Sequence, residues 1–248
     1  MAVSVQIIGS GDAFGSGGRF QTCLLVEDSR GQFAVDFGPS SLVALKGKGI
    51  EPADLGMVVL THLHGDHFGG LPFLLLDRQM RAECEAPLTI TGPPGLTERL
   101  RALCDLLFPG VWDKGWRFAL ELIEIEPGEA LDVLGRRVDT RLVVHSTGDA
   151  PPTAVRLRCD DKSIAFSGDT GWTEALIDIA DNSDVFVCEC YFFDKNPSKH
   201  HMNFATVQEM KDRLNTRRLV LTHMSDEMLC RLDEIDIETA YDGLTIHL

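Results

Sequence analysis

Short apolar stretches separated by polar turns run along the chain, and their spacing predicts alternating strands and helices. Alternating or continuous apolar runs predict strands at 3–8, 22–26, 33–36, 57–60, 118–125, 130–134, 137–144, 154–158, 163–166, 185–187 and 218–221. Helical spacing predicts helices at 41–48, 71–81, 97–107, 173–180 and 204–214, the last with Asn203 as N-cap. Strands followed by helices occur twice, which predicts a layered α/β protein.

Length and composition favour one α/β domain over residues 1–248. The chain has 248 residues, 44% of them hydrophobic, and single cores grow to roughly 250 residues before splitting. No apolar run approaches the roughly 18 residues of a membrane span, and the first residues lack the basic and apolar regions of a signal peptide. Seven cysteines without a CxxC pair argue against a complete disulfide framework. We therefore expect a cytoplasmic protein, with Cys188 and Cys190 in its core.

The formal charge of −15 opposes binding to long nucleic acids, because most of that affinity comes from Lys and Arg neutralising phosphates. Bound divalent metals would reverse the charge locally. The glycine-rich loop at 15–19 lacks the lysine and helix of a P-loop. We interpret it as a turn, with an anion contact by Arg19 as the alternative.

The segment Thr61-His62-Leu63-His64-Gly65-Asp66-His67 follows the predicted strand 57–60 directly. Side chains alternate at a strand end, so His62 and His64 point the same way and can bind one ion. Gly65 lets the backbone turn sharply, so Asp66 and His67 can face a second ion nearby. A polar surface loop is the alternative, but this density of histidines favours a metal site.

This segment, followed by Phe68-Gly69-Gly70, resembles the HxHxDH signature of the metallo-β-lactamase fold. The chain is similar to the ribonuclease Z and phosphodiesterase branch of that superfamily. The resemblance implies a four-layer αββα sandwich, in which two sheets pack face to face with helices outside. It also implies a homodimer.

The resemblance implies three further metal ligands downstream. They are His145 after a strand, Asp169 in the turn Ser167-Gly168-Asp169-Thr170, and His223 after the last strand. The implied first metal site is His62, His64 and His145, and the second is Asp66, His67 and His223, with Asp169 and a hydroxide bridging the two. Asp36 matches an aspartate that orients a ligand loop. Nitrogen and oxygen ligands favour two Zn²⁺ ions, with Mn²⁺ or Fe²⁺ as alternatives.

Two adjacent metals activate water for attack on an ester-like centre, so we expect a hydrolase. Glu189 and His201 resemble a pair of the phosphodiesterase branch, in which the histidine contacts the scissile phosphate and protonates the leaving oxygen. Asp66 would position or shuttle a proton. His200 could replace His201 in this role, and a surface His-His pair without function is the structural alternative.

Ribonuclease Z carries a long tRNA-gripping arm between the positions that match His145 and Asp169, whereas 23 residues, 146–168, intervene here. We therefore expect a small phosphodiester substrate, cyclic or nucleotide-derived. A tRNA 3′-processing endonuclease and an acyl hydrolase, such as a lactonase or thioesterase, are the alternatives. A non-enzymatic binding protein is disfavoured because every ligand of the set has a candidate residue.

Overall fold

The computed structural model describes residues 2–194 and 198–248, and the strands of these residues form two seven-stranded sheets. The first sheet contains, in spatial order, β14 (Thr245–His247), β1 (Ser4–Gly9), β2 (Cys23–Asp28), β3 (Gly31–Val35), β4 (Met57–Val59), β5 (Leu88–Gly92) and β6 (Leu120–Glu124). The second contains β13 (Glu238–Thr239), β12 (Leu219–Thr222), β11 (Val185–Glu189), β10 (Lys162–Phe166), β9 (Thr153–Cys159), β8 (Arg136–Leu142) and β7 (Ala130–Val133). Strand numbers follow chain order.

Helices connect the strands and cover the outer faces of the sheets. They are α1 (Ser41–Gly47), α2 (Gly65–Phe68), α3 (Leu71–Leu76), α4 (Leu96–Leu107), α5 (Ala175–Ala180), α6 (Phe204–Met210) and α7 (Asp226–Leu229). A π-helical turn, Asp77–Arg81, continues α3, so the helix predicted at 71–81 is confirmed with a change of winding. The Asn203 cap is also confirmed, because its Oδ1 accepts a hydrogen bond of 2.8 Å from the Thr206 amide.

Three buried apolar clusters separate the four layers. The central cluster joins both sheets and includes Val5 and Val35 from the first and Val155 and Val187 from the second. A second cluster packs the outer face of the first sheet against α1, α3 and α4, and a third packs the second sheet against α5, α6 and α7. The predicted αββα sandwich is therefore confirmed.

A buried ion pair also joins the sheets. Arg136 in β8 donates two hydrogen bonds of 2.7 Å, from Nε and Nη2, to the two carboxylate oxygens of Asp28 at the end of β2. The same guanidinium lies 4.8 Å from the ring centroid of Phe33 in β3. Such a paired and buried arginine is tolerated because both carboxylate oxygens satisfy its donors.

The direction of the central strands fixes the location of the site. In the first sheet β3 and β4 are parallel, and in the second β10, β11 and β12 are parallel. Their carboxyl ends therefore lie at one edge of each sheet. Five predicted parts of the site lie there: Asp36 after β3, residues 62–67 after β4, Asp169 after β10, Glu189 at the end of β11 and His223 after β12. This is the edge at which layered α/β proteins bind ligands.

Two strands of the first sheet were not predicted. The first, β5, is entirely buried between β4 and β6. The second, β14, has three residues and pairs antiparallel with β1 at the other end of the chain. The segment of β5 alternates Leu and Ile with Thr between Pro87 and Gly92, so a strand signal was present there and was missed. The three-residue β14 acquires its strand structure from pairing with β1 rather than from its own pattern. In the described part of the chain, no helix has the length and apolar character needed to cross a membrane.

Candidate metal centre

The seven predicted metal ligands come together at the carboxyl ends of strands from both sheets. The segment 62–67 follows β4, whereas His145, Asp169 and His223 follow β8, β10 and β12. Two groups of these side chains have donor atoms within 4.8 Å of one another, and each group could hold a metal ion. The first group is His62, His64 and His145; the second is Asp66, His67, Asp169 and His223.

In the first group three imidazoles surround a common point. His145 Nε2 lies 3.1 Å from His64 Nδ1, and Asp169 Oδ2 lies 3.9 Å from His62 Nε2 and 3.8 Å from His145 Nε2. The second nitrogen of His145, Nδ1, hydrogen-bonds the His200 carbonyl at 2.8 Å. Because that bond occupies Nδ1, Nε2 is left to face the centre.

In the second group two carboxylates face two imidazoles. His67 Nε2 lies 3.3 Å from Asp66 Oδ2 and 3.2 Å from Asp169 Oδ1. His223 Nε2 lies 3.4 Å from Asp66 Oδ2 and 3.4 Å from Asp169 Oδ2. The two oxygens of Asp169 therefore approach donors of both groups, which is the geometry required of a bridging carboxylate.

Several nitrogen and oxygen atoms at this centre have no hydrogen-bond partner among the described residues. They are His62 Nε2, His67 Nε2, Asp169 Oδ1 and His223 Nδ1, all buried. The 3.2 Å contact between His67 Nε2 and Asp169 Oδ1 lacks hydrogen-bond geometry. An unsatisfied buried polar atom is costly and needs an explanation, of which an ion is one. Nitrogen and oxygen atoms of this number fit a pair of divalent cations.

Asp36 holds the ligand segment from behind. Its Oδ2 accepts hydrogen bonds from His67 Nδ1 at 2.7 Å and Thr61 Oγ1 at 2.8 Å, and its Oδ1 accepts the Thr61 amide at 2.8 Å. Thr61 Oγ1 also lies 3.0 Å from His62 Nδ1. One buried carboxylate thus orients both histidines, the geometry expected from its predicted role. The contribution of Thr61 was not predicted.

Backbone conformation directs three of these side chains. Asp36 and His223 follow strands in the left-handed region, with φ of 57° and 55°, and Asp and His tolerate this region better than most residues. Gly168 precedes Asp169 with φ of 56°, and a Cβ there would lie 2.8 Å from the Thr153 carbonyl oxygen. Gly168 is therefore required for the turn that presents Asp169.

The prediction that Gly65 permits a sharp backbone turn before Asp66 is wrong. Its φ lies outside the left-handed region, and a Cβ at this position would meet no heavy atom within 4 Å. The chain changes direction because α2 begins at Gly65, directly after His64 in extended conformation. Asp66 and His67 therefore leave the strand direction through helix formation rather than through a glycine turn.

Burial and charge act against each other throughout the centre. Burial opposes protonation of His67, but Asp169, Asp66 and Asp36 together raise its pKa well above the ordinary value. The pKa of His223 is raised to about 9, because Asp169 and Asp66 outweigh burial. The pKa of His62 is lowered well below its usual value by burial and by the nearby His67. The carboxylates thus create a strongly cation-attracting centre.

Glu189 and His201 form a hydrogen-bonded pair beside the two groups. Glu189 is fully buried at the end of β11, and its Oε1 lies 2.6 Å from His201 Nδ1. Backbone amides of Thr170 and Met202 also donate to its carboxylate. Burial opposes protonation of His201, but the hydrogen bond and charge of Glu189 raise its pKa overall. Glu189 therefore contacts His201, whereas His200 contributes its carbonyl to His145.

A cavity of about 180 Å³ opens over this centre. It is lined by Ala13, Phe14, His64, Asp66, His145, Asp169, Tyr191, His201 and His223. Phe14 and Tyr191 were not predicted as site residues; an aromatic residue in the loop after the first strand was the available signal for Phe14. Arg19, for which an anion contact was the alternative interpretation, donates instead to the Ala240 carbonyl at 2.7 Å and to Ser10 Oγ at 3.3 Å.

Histidine and aspartate clusters between two packed sheets, at the ends of parallel strands, are the arrangement of a metallo-β-lactamase-fold protein. The structure of the metallo-β-lactamase-fold protein YhfI from Bacillus subtilis superposes with a TM-score of 0.80, at 19% identity, and covers all of both chains. The family model described as anti-Pycsar protein Apyc1 matches residues 3–237. The chain therefore belongs to the anti-Pycsar Apyc1 family.

Other relatives extend this assignment. A ribonuclease Z of Agathobacter rectalis is 24% identical over 277 residues, which cover 92% of this chain and 89% of the relative. The structure of a diphosphatase from the PhnP family has a TM-score of 0.79 and 18% identity, and covers 99% of this chain and 98% of the other. The chain thus lies in the ribonuclease Z-like branch of the superfamily, and its relatives support a hydrolase.

Proposed function

We propose that this protein is a dinuclear metal-dependent phosphodiesterase that cleaves a small phosphodiester, cyclic or nucleotide-derived. The observation that carries the proposal is the hydrogen bond between buried Glu189 and His201, because His201 lines the same cavity as Asp66 and Asp169. An imidazolium in this position can give its proton to a leaving alkoxide oxygen. Such a donor accelerates hydrolysis of an ester with a poor leaving group, whereas ligand binding alone does not need one.

The candidate ligands divide between two metal ions. His62, His64 and His145 would hold the first, Asp66, His67 and His223 the second, and Asp169 would touch both. Zn²⁺ suits these nitrogen and oxygen donors, with Mn²⁺ or Fe²⁺ as alternatives. When bound, two such ions supply an activated water and stabilise negative charge on the phosphate.

Side chains of the protein orient the proton donor and transfer the protons. Glu189 keeps the His201 ring oriented and protonated, and the Tyr191 ring, 5.0 Å from the His201 ring, limits its rotation. Asp66 is slightly exposed to the cavity and is held by His67 and His223. We assign to Asp66 the removal of a proton from the attacking water, and to His201 protonation of the leaving oxygen.

Charge and topology support a small substrate. The formal charge of −15 disfavours a long polyanion. Residues 146–168 correspond to the segment in which ribonuclease Z carries its tRNA-gripping arm, and most of them form β9 and β10, two strands of the sheet. The family to which the chain belongs is described as anti-Pycsar. We assign the same biological role to this protein and infer that it acts by hydrolysing a small cyclic phosphodiester.

The test is a substrate panel with the Zn²⁺- and Mn²⁺-loaded protein: bis-p-nitrophenyl phosphate, nucleoside cyclic monophosphates, a lactone and a precursor tRNA. The proposal expects turnover of the first two classes and little cleavage of tRNA. The relatives named ribonuclease Z make the nuclease the second candidate, and rapid, site-specific tRNA cleavage would establish it. Activity confined to the lactone would make the protein an acyl hydrolase and remove the assigned role of His201.

A further inference from the structure

Phe14 is the most exposed of the large hydrophobic side chains in the described part of the chain, with 81% of its surface accessible. It nevertheless lines the cavity over the metal centre, together with Asp66 and His201. Single exposed hydrophobic side chains are common on protein surfaces, so the informative feature of Phe14 is where its ring is exposed. Its position at the cavity, rather than on a remote surface, suggests that a substrate covers it.

The loop holds Phe14 in place. The buried carboxylate of Asp12 accepts hydrogen bonds from the Phe14 amide at 3.1 Å, the Ser16 amide at 2.9 Å and Ser16 Oγ at 2.7 Å. The Gly17 amide then donates to Asp226 Oδ1 at 3.0 Å. The exposed ring is therefore presented by a fixed turn, and fixed surfaces bind planar groups at low entropic cost.

The same loop is tied to the metal centre. Asp226 begins α7, three residues after His223, and Leu229 of that helix lies so close to Gly17 that a Cβ there would be 2.6 Å from Leu229 Cδ1. The backbone of the loop that carries Phe14 is thus fixed relative to the second metal group by direct packing. A substrate bound through its phosphate would meet the ring at a defined distance.

The size of the cavity indicates which part of a substrate reaches Phe14. Its volume of about 180 Å³ is below the roughly 300–1,000 Å³ of pockets that enclose drug-sized ligands. A nucleotide whose phosphate lies at the metal centre must therefore extend out of the cavity. The other aromatic residue of the lining, Tyr191, already packs against the His201 ring, whereas Phe14 offers an uncovered face.

We propose that Phe14 is the platform on which the base of a small nucleotide phosphodiester stacks while its phosphate lies at the metal centre. This inference rests on the proposed phosphodiesterase function and specifies its substrate class. Stacking on an aromatic ring tolerates every base. Phe14 therefore favours substrates that carry a base over those without one, and it does not by itself select among bases.

The experiment compares two cyclic phosphates with the metal-loaded full chain. One is adenosine 3′,5′-cyclic monophosphate, and the other is methyl riboside 3,5-cyclic phosphate, which has the same reacting group but no base. The variants are Phe14→Ala, Phe14→Leu, which keeps apolar bulk without a flat ring, and Phe14→Trp. Leu106→Ala removes another exposed apolar side chain, 77% accessible and outside the cavity lining, as a control.

Phe14→Ala and Phe14→Leu should lower kcat/KM about tenfold on the nucleotide, mainly through KM, because a stacked base contributes roughly that much binding. Both should leave kcat/KM on the base-free substrate unchanged. Phe14→Trp should keep kcat/KM on the nucleotide near the wild-type value. Thermal unfolding should match the wild type in all variants. Wild-type kinetics for Phe14→Leu, or an equal loss on both substrates, would overturn the inference.

Failure of the proposed function is separable from failure of this inference. If the wild type hydrolyses neither the cyclic phosphates nor bis-p-nitrophenyl phosphate, the proposed function is wrong. Whenever the cyclic nucleotide is not hydrolysed, the role of Phe14 is decided by calorimetry with adenosine 5′-monophosphate and the metal-loaded proteins. About tenfold weaker binding by Phe14→Leu than by the wild type supports the platform. Equal affinities, or no binding by the wild type, contradict it.

Discussion

Asp36 and His67 are joined by a 2.7 Å hydrogen bond between Oδ2 and Nδ1, although they lie 31 residues apart in sequence. Both side chains are fully buried. The bond occupies Nδ1 of His67, so Nε2 faces Asp66 and Asp169 at the candidate metal centre. Asp36, directly after β3, thus sets the orientation of His67 in α2. The two residues meet because β3 and β4, the strands that precede them, pair in parallel.

Replacing Asp36 by Asn should weaken metal binding about 10- to 100-fold, since partners of metal-bound histidines contribute that much to affinity. Asn has only one acceptor oxygen, so its NH2 group must face either the Thr61 amide, which donates to Oδ1, or the His67 and Thr61 side chains, which bond Oδ2. Zinc affinity would be measured by competition with a chelator. Asp161→Asn, at an exposed carboxylate, is the matched control and should bind as the wild type does. Equal affinity of Asp36→Asn and Asp161→Asn would contradict the assigned role.

Replacing His201 by Ala should lower kcat on a phosphodiester about 10²- to 10⁴-fold, the range of a lost general acid. Metal content should stay at the wild-type level, because His201 belongs to neither predicted ligand set. His200→Ala is the matched control, since His200 contacts His145 through its carbonyl, which the substitution keeps. Metal content would be measured by atomic emission beside the rates. Loss of metal from His201→Ala, or an unchanged rate, would argue against a proton donor.

Activity should fall at alkaline pH as His201 loses its proton. Although burial opposes it, the carboxylate of Glu189 raises the pKa of His201, so the active, protonated form persists below that raised pKa and disappears above it. Glu189→Gln removes the negative charge that stabilises the imidazolium, which lowers the pKa of His201. The alkaline limb of kcat should therefore move to lower pH in this variant. A limb that stays in place or moves upward would assign the ionisation to another group.

Metal removal should destabilise the fold as well as abolish activity. Without a cation, buried His62 Nε2, His67 Nε2 and Asp169 Oδ1 lack hydrogen-bond partners among the described residues. A metal present at a thousand times its dissociation constant stabilises the folded state by about 4 kcal/mol. Urea unfolding with zinc and with a chelator would measure this difference. His62→Ala should lose most of the zinc response, whereas His247→Ala, at an exposed C-terminal position, should keep it.

Breaking the Asp28–Arg136 pair should destabilise the fold without affecting chemistry. Asp28→Ala leaves a buried guanidinium without its two acceptors, and breaking such a pair costs about 3–5 kcal/mol of unfolding free energy. Asp160→Ala breaks the exposed pair with Arg30 and should change stability much less, because solvent screens it. Urea unfolding of the metal-loaded proteins would compare the two. Similar losses from both substitutions would contradict the importance of burial.

Much of the fold follows from local pattern. The helix at 204–214 has its cap at Asn203 and ends its regular winding at Met210, followed by a 3₁₀ turn. By contrast β14 carries little pattern of its own and exists because β1 is available to pair with it. Local periodicity records which face of an element is buried, but not which distant segment covers a sheet edge.

The amino-acid sequence by itself determined which residues are candidate ligands, because the cluster from His62 to His67 and its similarity to a known signature indicated the other three. It also determined the layered α/β class. Only the tertiary structure decided that Glu189 bonds His201 rather than His200, that Arg19 holds the backbone of Ala240, and that Phe14 stands at the cavity. These facts depend on contacts between segments far apart in the chain, which are set by sheet pairing and packing rather than by spacing along the sequence.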